Sequence, residues 1–250
     1  MEEIGCHMKK LPTLLATIKQ LKDSKGSKGS KPYQIFLGGP QNSKVAMNMG
    51  DIVAAKVEIE SKNHKIFVHT PYILNLATVF EKESWQYELF KKNIQISVAM
   101  GCRGVVIHVG KHTKQPYKVA VETMRTNLAE FLQYATTECP ILLETPAGQG
   151  TETLKPMDEF CEFVASFSDP RIRVCVDTCH VFACGHDPIT YLKKLENEYD
   201  GLLKLIHFND SQAICGSCVD RHAPVGEGHI GLSKMTEIAE LCKDIPKLIE

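Results

Sequence analysis

The chain has 250 residues, 43 % of them hydrophobic and 24 % charged. That composition excludes a largely disordered chain and suits one domain with a sizeable core, since single α/β barrels run to about 250 residues. Lys and Arg number 29 against 30 for Asp and Glu, so a nucleic-acid reader built on overall positive charge is excluded. Such a partner would need charge concentrated locally or carried by bound metal. The apolar runs at 72–80 and 93–102 are too short to span a bilayer, which takes about 20 apolar residues, so no membrane is expected. Glu2 and Glu3 stand where a secretory leader would be basic. The ten cysteines are therefore expected to be reduced thiols in an intracellular protein, with nothing to select nucleus, cytoplasm or virion.

In chain order, short β-like runs alternate with helix-period stretches. Strand 4–7 precedes a stripe of Leu14, Leu15, Ile18 and Leu21, then the Lys/Gly/Ser stretch 23–31, read as a flexible loop on the face away from the site. Strands at 33–37, 65–69 and 104–108 follow, with Phe90, Ile94 and Val98 as a helix stripe before the last of these. Val119, Met124, Leu128, Phe131, Leu132 and Ala135 form the next stripe, then strand 141–144. Met157, Phe160, Val164 and Phe167 precede strand 173–177, and Asp187-Pro188 reads as an N-cap with proline in the first turn. Strand 203–207, the stripe Leu232, Met235, Ile238 and Leu241, and strand 247–250 complete the chain.

Strand ends therefore recur every 30 to 43 residues, one βα unit per step. Eight such units predict a single α/β domain over 1–250, a (β/α)8 TIM barrel, with no eighth outer helix expected after Glu250. Site residues at many strand ends favour a closed barrel over an open sheet with one switch point.

Six of those ends carry a metal-binding residue type: His69, His108, Glu144, Asp177, His207 and Glu250. A lone polar residue at a strand end is ordinary, but six at one barrel mouth would crowd three carboxylates together unless cations offset them. Asp177-Thr-Cys-His180 adds His180. Asp220-Arg-His222 places two donors on one side of an extended segment. Imidazole with carboxylate suits Zn²⁺, and Mn²⁺ or Fe²⁺ accepts the same set. Nine donors suffice for three ions sharing a bridging carboxylate. His7 is expected just beneath them, Asn209 and Asp210 as anchors, and His64, His112, His186 and His229 at the surface or behind the ligands. Cys215-Gly-Ser-Cys218 has no second CxxC and reads as two incidental thiols. Cys179 reads as core packing, although it could compete for zinc.

The runs HTPYILNLA (69–77), HVG (108–110), LETPAGQGTE (143–152), VDTCHVFACGHD (176–187), HFNDS (207–211) and DRHAPVGEGHIG (220–231), with IGCH at 4–7, resemble the endonuclease IV family of abasic-site DNA repair nucleases. The resemblance covers essentially the whole chain, with six motifs in register. It implies a barrel with three zinc ions. His69, His108 and Glu144 would hold the first; Glu144, Asp177, His207 and Glu250 the second, with Glu144 bridging; His180, Asp220 and His222 the third. It further implies hydrolysis of the phosphodiester 5′ to an abasic site in double-stranded DNA, leaving a 3′-hydroxyl and a 5′-deoxyribose phosphate. Glu144 and Glu250 would be the catalytic acids that orient the nucleophile or take its proton, in a protein expected to act as a monomer.

Tyr72 and Ile73 are expected to wedge against bases beside the missing one, where unstacking costs least. The loop 38–44 occupies the place of a DNA-inserting loop. Gln41 stands near the place where relatives often carry an arginine, Asn42 is expected to contact DNA beside it, and Lys44 is the nearest cation. Two other readings compete: a metal-dependent sugar isomerase or epimerase on a similar barrel, and a catalytically silent DNA-binding relative. The trio His180, Asp220 and His222 separates the first of these, since such enzymes usually need one or two metals.

Overall fold

The computed structural model describes residues 4–21 and 31–250. Of the loop expected at 23–31, residues 23–30 lie outside the described residues. Eight parallel strands close into a barrel: β1 (Gly5–Met8), β2 (Pro32–Phe36), β3 (Lys65–His69), β4 (Gly104–His108), β5 (Ile141–Glu144), β6 (Ile172–Asp177), β7 (Leu203–His207) and β10 (Lys247–Ile249), with β10 pairing both β7 and β1. A two-stranded antiparallel ribbon, β8 (Asp210–Ser211) with β9 (His222–Ala223), stands beyond β7. The helices α1 (Leu14–Lys19), α2 (Met49–Lys62), α3 (Trp85–Met100), α4 (Tyr117–Phe131), α5 (Met157–Ala165), α6 (Thr178–Ala183), α7 (Pro188–Glu198) and α8 (Leu232–Leu241) occupy the connections. Among the described residues no helix is long and apolar enough to cross a membrane.

Local chemistry explains where these helices start. Thr13, Asn48 and Ser84 accept backbone N–H groups at the N-termini of α1, α2 and α3. Asp187 caps α7 with Pro188 in its first turn, as the sequence predicts. Asp51 of α2 reaches across to accept Leu14 N and Leu15 N at 2.7 and 3.0 Å, which ties α1 to α2. Three expectations are corrected, the first being Leu232, which is exposed at the start of α8 while Met235 and Ile238 are buried. Val119 is on the exposed face of α4, because the buried stripe runs through Ala120, Met124, Asn127 and Leu128 instead. His64 is buried at the start of β3, its ring 6.1 Å from that of Tyr33, rather than exposed or near the ligands.

Strand parity decides what faces the barrel axis, since alternate side chains point to opposite faces. Ile66, Val68, Val105, Ile107, Leu143, Val174, Val176 and Ile206 belong to the large core between sheet and helices. Phe67, Val106, Leu142, Cys175, Leu205 and Leu248 form a separate apolar cluster that plugs the barrel interior. Two residues beyond each of these, in the same order, come His69, His108, Glu144, Asp177, His207 and Glu250. The pairing register aligns them, with His108 opposite Glu144 and Asp177 opposite His207. Thus one step of the period-two pattern lifts six chemically reactive groups onto a dry apolar floor. Gly110 lets this rim close, because a Cβ there would sit 2.4 Å from Ala77 N.

Candidate metal centre

Glu144 stands at the middle of the mouth and is 1 % exposed. Its Oε2 lies 3.2 Å from His69 Nε2 and 3.1 Å from His108 Nε2. Its Oε1 lies 2.9 Å from His207 Nδ1 and 3.6 Å from His180 Nδ1. Glu250 Oε2 approaches His207 Nδ1 at 3.2 Å. Beyond them, Asp220 gives one oxygen to each of two rings, Oδ2 to His180 Nε2 at 3.3 Å and Oδ1 to His222 Nε2 at 3.1 Å. Asp177 is shared between cap and cluster. Its Oδ1 accepts His180 N at the start of α6, and its Oδ2 accepts Asn209 Nδ2 at 2.8 Å while facing His222 Nε2 at 3.5 Å.

Three rings are aimed by their other nitrogen. His69 Nδ1 donates to Thr70 O at 2.7 Å, and His180 Nδ1 donates to Thr145 O at 2.9 Å. A carbonyl only accepts, so each of those nitrogens carries a proton and each Nε2 is left facing acids. His207 Nε2 likewise contacts Gln34 Oε1 at 2.9 Å, leaving Nδ1 toward the acids. Anchoring one ring nitrogen on an oxygen is how proteins orient a histidine whose second nitrogen binds metal.

The electrostatics agree. Burial holds His69 below its ordinary value although Glu144 pulls it up. With Nδ1 donating to Thr70 O, a neutral His69 ring turns its Nε2 lone pair toward the Glu144 carboxylate, a contact that a cation between the two atoms would relieve. Burial alone would push Glu144 up, but His108 and His207 reverse this and hold its carboxyl well below the usual range. Burial also lowers His180, yet Asp177, Asp220 and Glu144 outweigh it and raise the ring well above its ordinary value. Among the described residues, the ion pairs of Glu144, Asp177, Asp220 and Glu250 are made with histidine rings. The cluster thus holds protons where a dication would replace them, and metal uptake must release protons.

The donor set fits metal. Side chains can present one ligand atom each, all mutually within 4.8 Å, in the groups His69–His108–Glu144 and Glu144–Asp177–His207–Glu250. Tetrahedral bonds of about 2.0–2.1 Å place ligand atoms about 3.4 Å apart, close to the separations above. Around the third set, Asp220 bridges His180 and His222, and further groupings overlap it. Asp177 joins His180 and His222, while Asp220 and His222 group with Cys179. Burial pushes the Cys179 thiol up to about 11, and its Sγ faces Arg221 O at 3.6 Å.

Further residues hold this arrangement. Asn209, besides binding Asp177, accepts the Glu250 N–H at 3.1 Å through Oδ1. Asp210 is fully buried and accepts the backbone N–H groups of Ser211, Gly226, Gly228, Ile230 and Gly231. It thereby gathers the 224–231 loop behind His222, and Gly228 allows this because a Cβ would sit 2.4 Å from Asp210 Oδ1. His7 Nδ1 lies 3.6 Å from Glu250 Oε1. Gln34 escaped the sequence reading. Its signal was a lone amide in the apolar strand Tyr-Gln-Ile-Phe at a position of inward parity.

Residues 28–241 match the family described as "Xylose isomerase-like TIM barrel". A Bacillus licheniformis protein named "Probable endonuclease 4" is 30 % identical over 230 residues, covering 87 % of this chain and 77 % of that protein. A Bacillus velezensis protein of the same name is 30 % identical over 264 residues, covering 100 % of this chain and 87 % of its own length. The chain belongs to the endonuclease IV family. Endonuclease IV from Thermus thermophilus superposes with a TM-score of 0.82 at 23 % identity, over 99 % of this chain and 91 % of that one. A D-tagatose 3-epimerase-like protein superposes with a TM-score of 0.70 at 17 % identity, over 98 % and 89 %. At those identities both likenesses show the fold alone.

In this endonuclease IV family member, Tyr72 stands at the rim, 53 % exposed, with its ring 5.4 Å from His69 and 5.3 Å from His108. Ile73 is half-buried against the core. Gln41, Asn42 and Lys44 are exposed, and Tyr72 N donates to Pro40 O at 2.9 Å, which places their loop beside the same rim. A cleft of about 260 Å³ opens between Tyr72, His108, His180 and Asp220.

Proposed function

We propose that this chain is a zinc-dependent DNA repair endonuclease that hydrolyses the phosphodiester 5′ to abasic sites in double-stranded DNA, leaving a 3′-hydroxyl and a 5′-deoxyribose phosphate. The observation that carries the reading is the convergence of nine imidazole and carboxylate groups, with ring nitrogens anchored behind them, on one mouth that has a cleft above it. His69, His108 and Glu144 would hold a first zinc; Glu144, Asp177, His207 and Glu250 a second; His180, Asp220 and His222 a third. Bound zinc supplies Lewis-acid charge for the phosphoryl oxygens and makes hydroxide available near neutral pH.

The chain's own groups do the rest. Glu144 and Glu250 hold the attacking water in line and accept its proton. Asp220 and His180 line the cleft, with His222 paired to Asp220, a set suited to the leaving oxygen. Tyr72 offers an edge-supported ring at the rim that fills the gap of a missing base, with Ile73 bracing it and Gln41 and Asn42 reaching the opposite strand from the neighbouring loop. An abasic nucleotide selects itself in part, because extruding it costs the least stacking. The net charge of -1 is consistent with this partner, since the phosphate charge is met by metal rather than by a basic surface. The third donor set favours this reading over a sugar isomerase.

The test is a duplex with one abasic site, end-labelled on the damaged strand. The metal-loaded protein is expected to incise it once, 5′ to the lesion, and to yield a primer end that a polymerase extends directly. Prolonged exposure to a strong chelator is expected to remove the activity and added zinc to restore it. A chain that is fully loaded yet leaves the duplex intact would defeat the proposal.

A further inference from the structure

At the level of Phe67 the barrel interior is apolar, except that β2 places Gln34 opposite Phe67. Burying a primary amide is costly unless its polar atoms are paired. Gln34 is 0 % exposed, and its whole carboxamide is committed to the cluster. Nε2 donates to Glu250 Oε1 at 2.6 Å and faces His7 Nδ1 at 3.1 Å. Oε1 lies 2.9 Å from His207 Nε2.

The partners dictate which way round the amide sits. An ionised carboxylate only accepts, so the NH₂ end belongs against Glu250. The carbonyl end then faces His207, which must donate from Nε2. A neutral imidazole with its proton on Nε2 has its lone pair on Nδ1. That is the atom 2.9 Å from Glu144 Oε1 and 3.2 Å from Glu250 Oε2.

We propose that Gln34 is a positioning residue that fixes the tautomer of His207 and the side-chain direction of Glu250 together, so that both offer a lone pair to one metal. The inference rests on the metal reading given above. Residues 34, 207 and 250 come from three separate parts of the chain, and one amide coordinates two donors that are 43 positions apart in sequence. Neither donor can turn away without breaking a bond to the other's anchor.

The experiment uses the zinc-loaded full chain with ¹⁵N-labelled histidine, and follows zinc transfer to an excess of chromogenic chelator. In the wild type, His207 is expected to show a solvent-protected Nε2–H and no proton on Nδ1. Gln34→Met fills similar space without polar atoms. It is expected to lose that protection and to bind zinc about 10- to 100-fold more weakly, the usual consequence of removing a ligand's outer partner, which the chelator reads as faster release. Gln34→Glu is isosteric and keeps an acceptor for His207, but sets a like charge against Glu250. It is expected to keep the protected Nε2–H and still release zinc faster, and it carries the test alone if the Met variant does not fold. Zinc held as in the wild type by the folded variants overturns the role of Gln34 and leaves the metal reading standing. A wild-type chain that takes up no zinc overturns the metal reading, and this role with it.

Discussion

Glu144→Gln is expected to abolish abasic-site incision, lowering kcat/KM by about 10³-fold or more, while the barrel stays folded. Glu144 belongs to two donor groups at once, with one oxygen toward His69 and His108 and the other toward His207. Glutamine keeps the shape but removes the charge and replaces one acceptor with a donor. Metal-borne charge stabilisation is worth several kcal/mol, and about 1.4 kcal/mol is a factor of ten, which sets the size of the loss. The fold should survive because an amide hydrogen-bonds to neutral rings and the apolar floor beneath is untouched. Incision rates, circular dichroism and zinc content measured on one preparation check this. Undiminished turnover in the variant would remove Glu144 from the metal site.

Asp210→Ala is expected to produce the largest loss of stability, about 4 kcal/mol or more, although Asp210 is assigned no metal. A hydrogen bond to a charged group contributes about 1.5–3 kcal/mol, and five backbone donors, those of Ser211 and Ile230 buried and the three glycines partly so, converge on this one carboxylate. The bonds are not independent, so their sum overstates the effect. Denaturant unfolding of the wild type and the variant gives the difference directly. The 224–231 loop should also exchange its amide protons faster, because its anchor is gone. An unfolding free energy lowered by less than a tenth of that amount would mean that the loop is held by packing of Val225 and Ile230 instead.

The barrel was legible because its signal is repetitive. Short β-branched runs recur at the spacing of a βα unit, and the strand bounds differ by at most a residue or two from those expected, as at Gly5–Met8 and Ile172–Asp177. The six donors at strand ends were legible because parity at a strand's C-terminal end is enough to aim a side chain at the mouth. The stagger between strands was not legible. Gln34 lies 173 residues from His207 and 216 from Glu250, and no local pattern announces that it reaches both. Asp210 was foreseen as an anchor, but its partners are backbone amides of a turn, which have no sequence identity to read. Val119 misled for the opposite reason. It sits one place from Ala120, and a stripe drawn through apolar residues alone overlooks that Asn127 lies on the buried face, donating to Leu76 O and Thr78 O.

On the proposed reading, imidazoles and acids from distant parts of the chain form one polynuclear metal site. Its most direct test is the zinc content of the purified, chelator-washed and zinc-reloaded chain, measured by elemental analysis against protein concentration. About three ions per chain are expected, falling to about two when His180 and His222 are both replaced by alanine, since zinc needs about four ligands per site. A chain that retains no zinc after reloading, or holds it unchanged when Glu144, His207 and Asp220 are all replaced, would contradict the account.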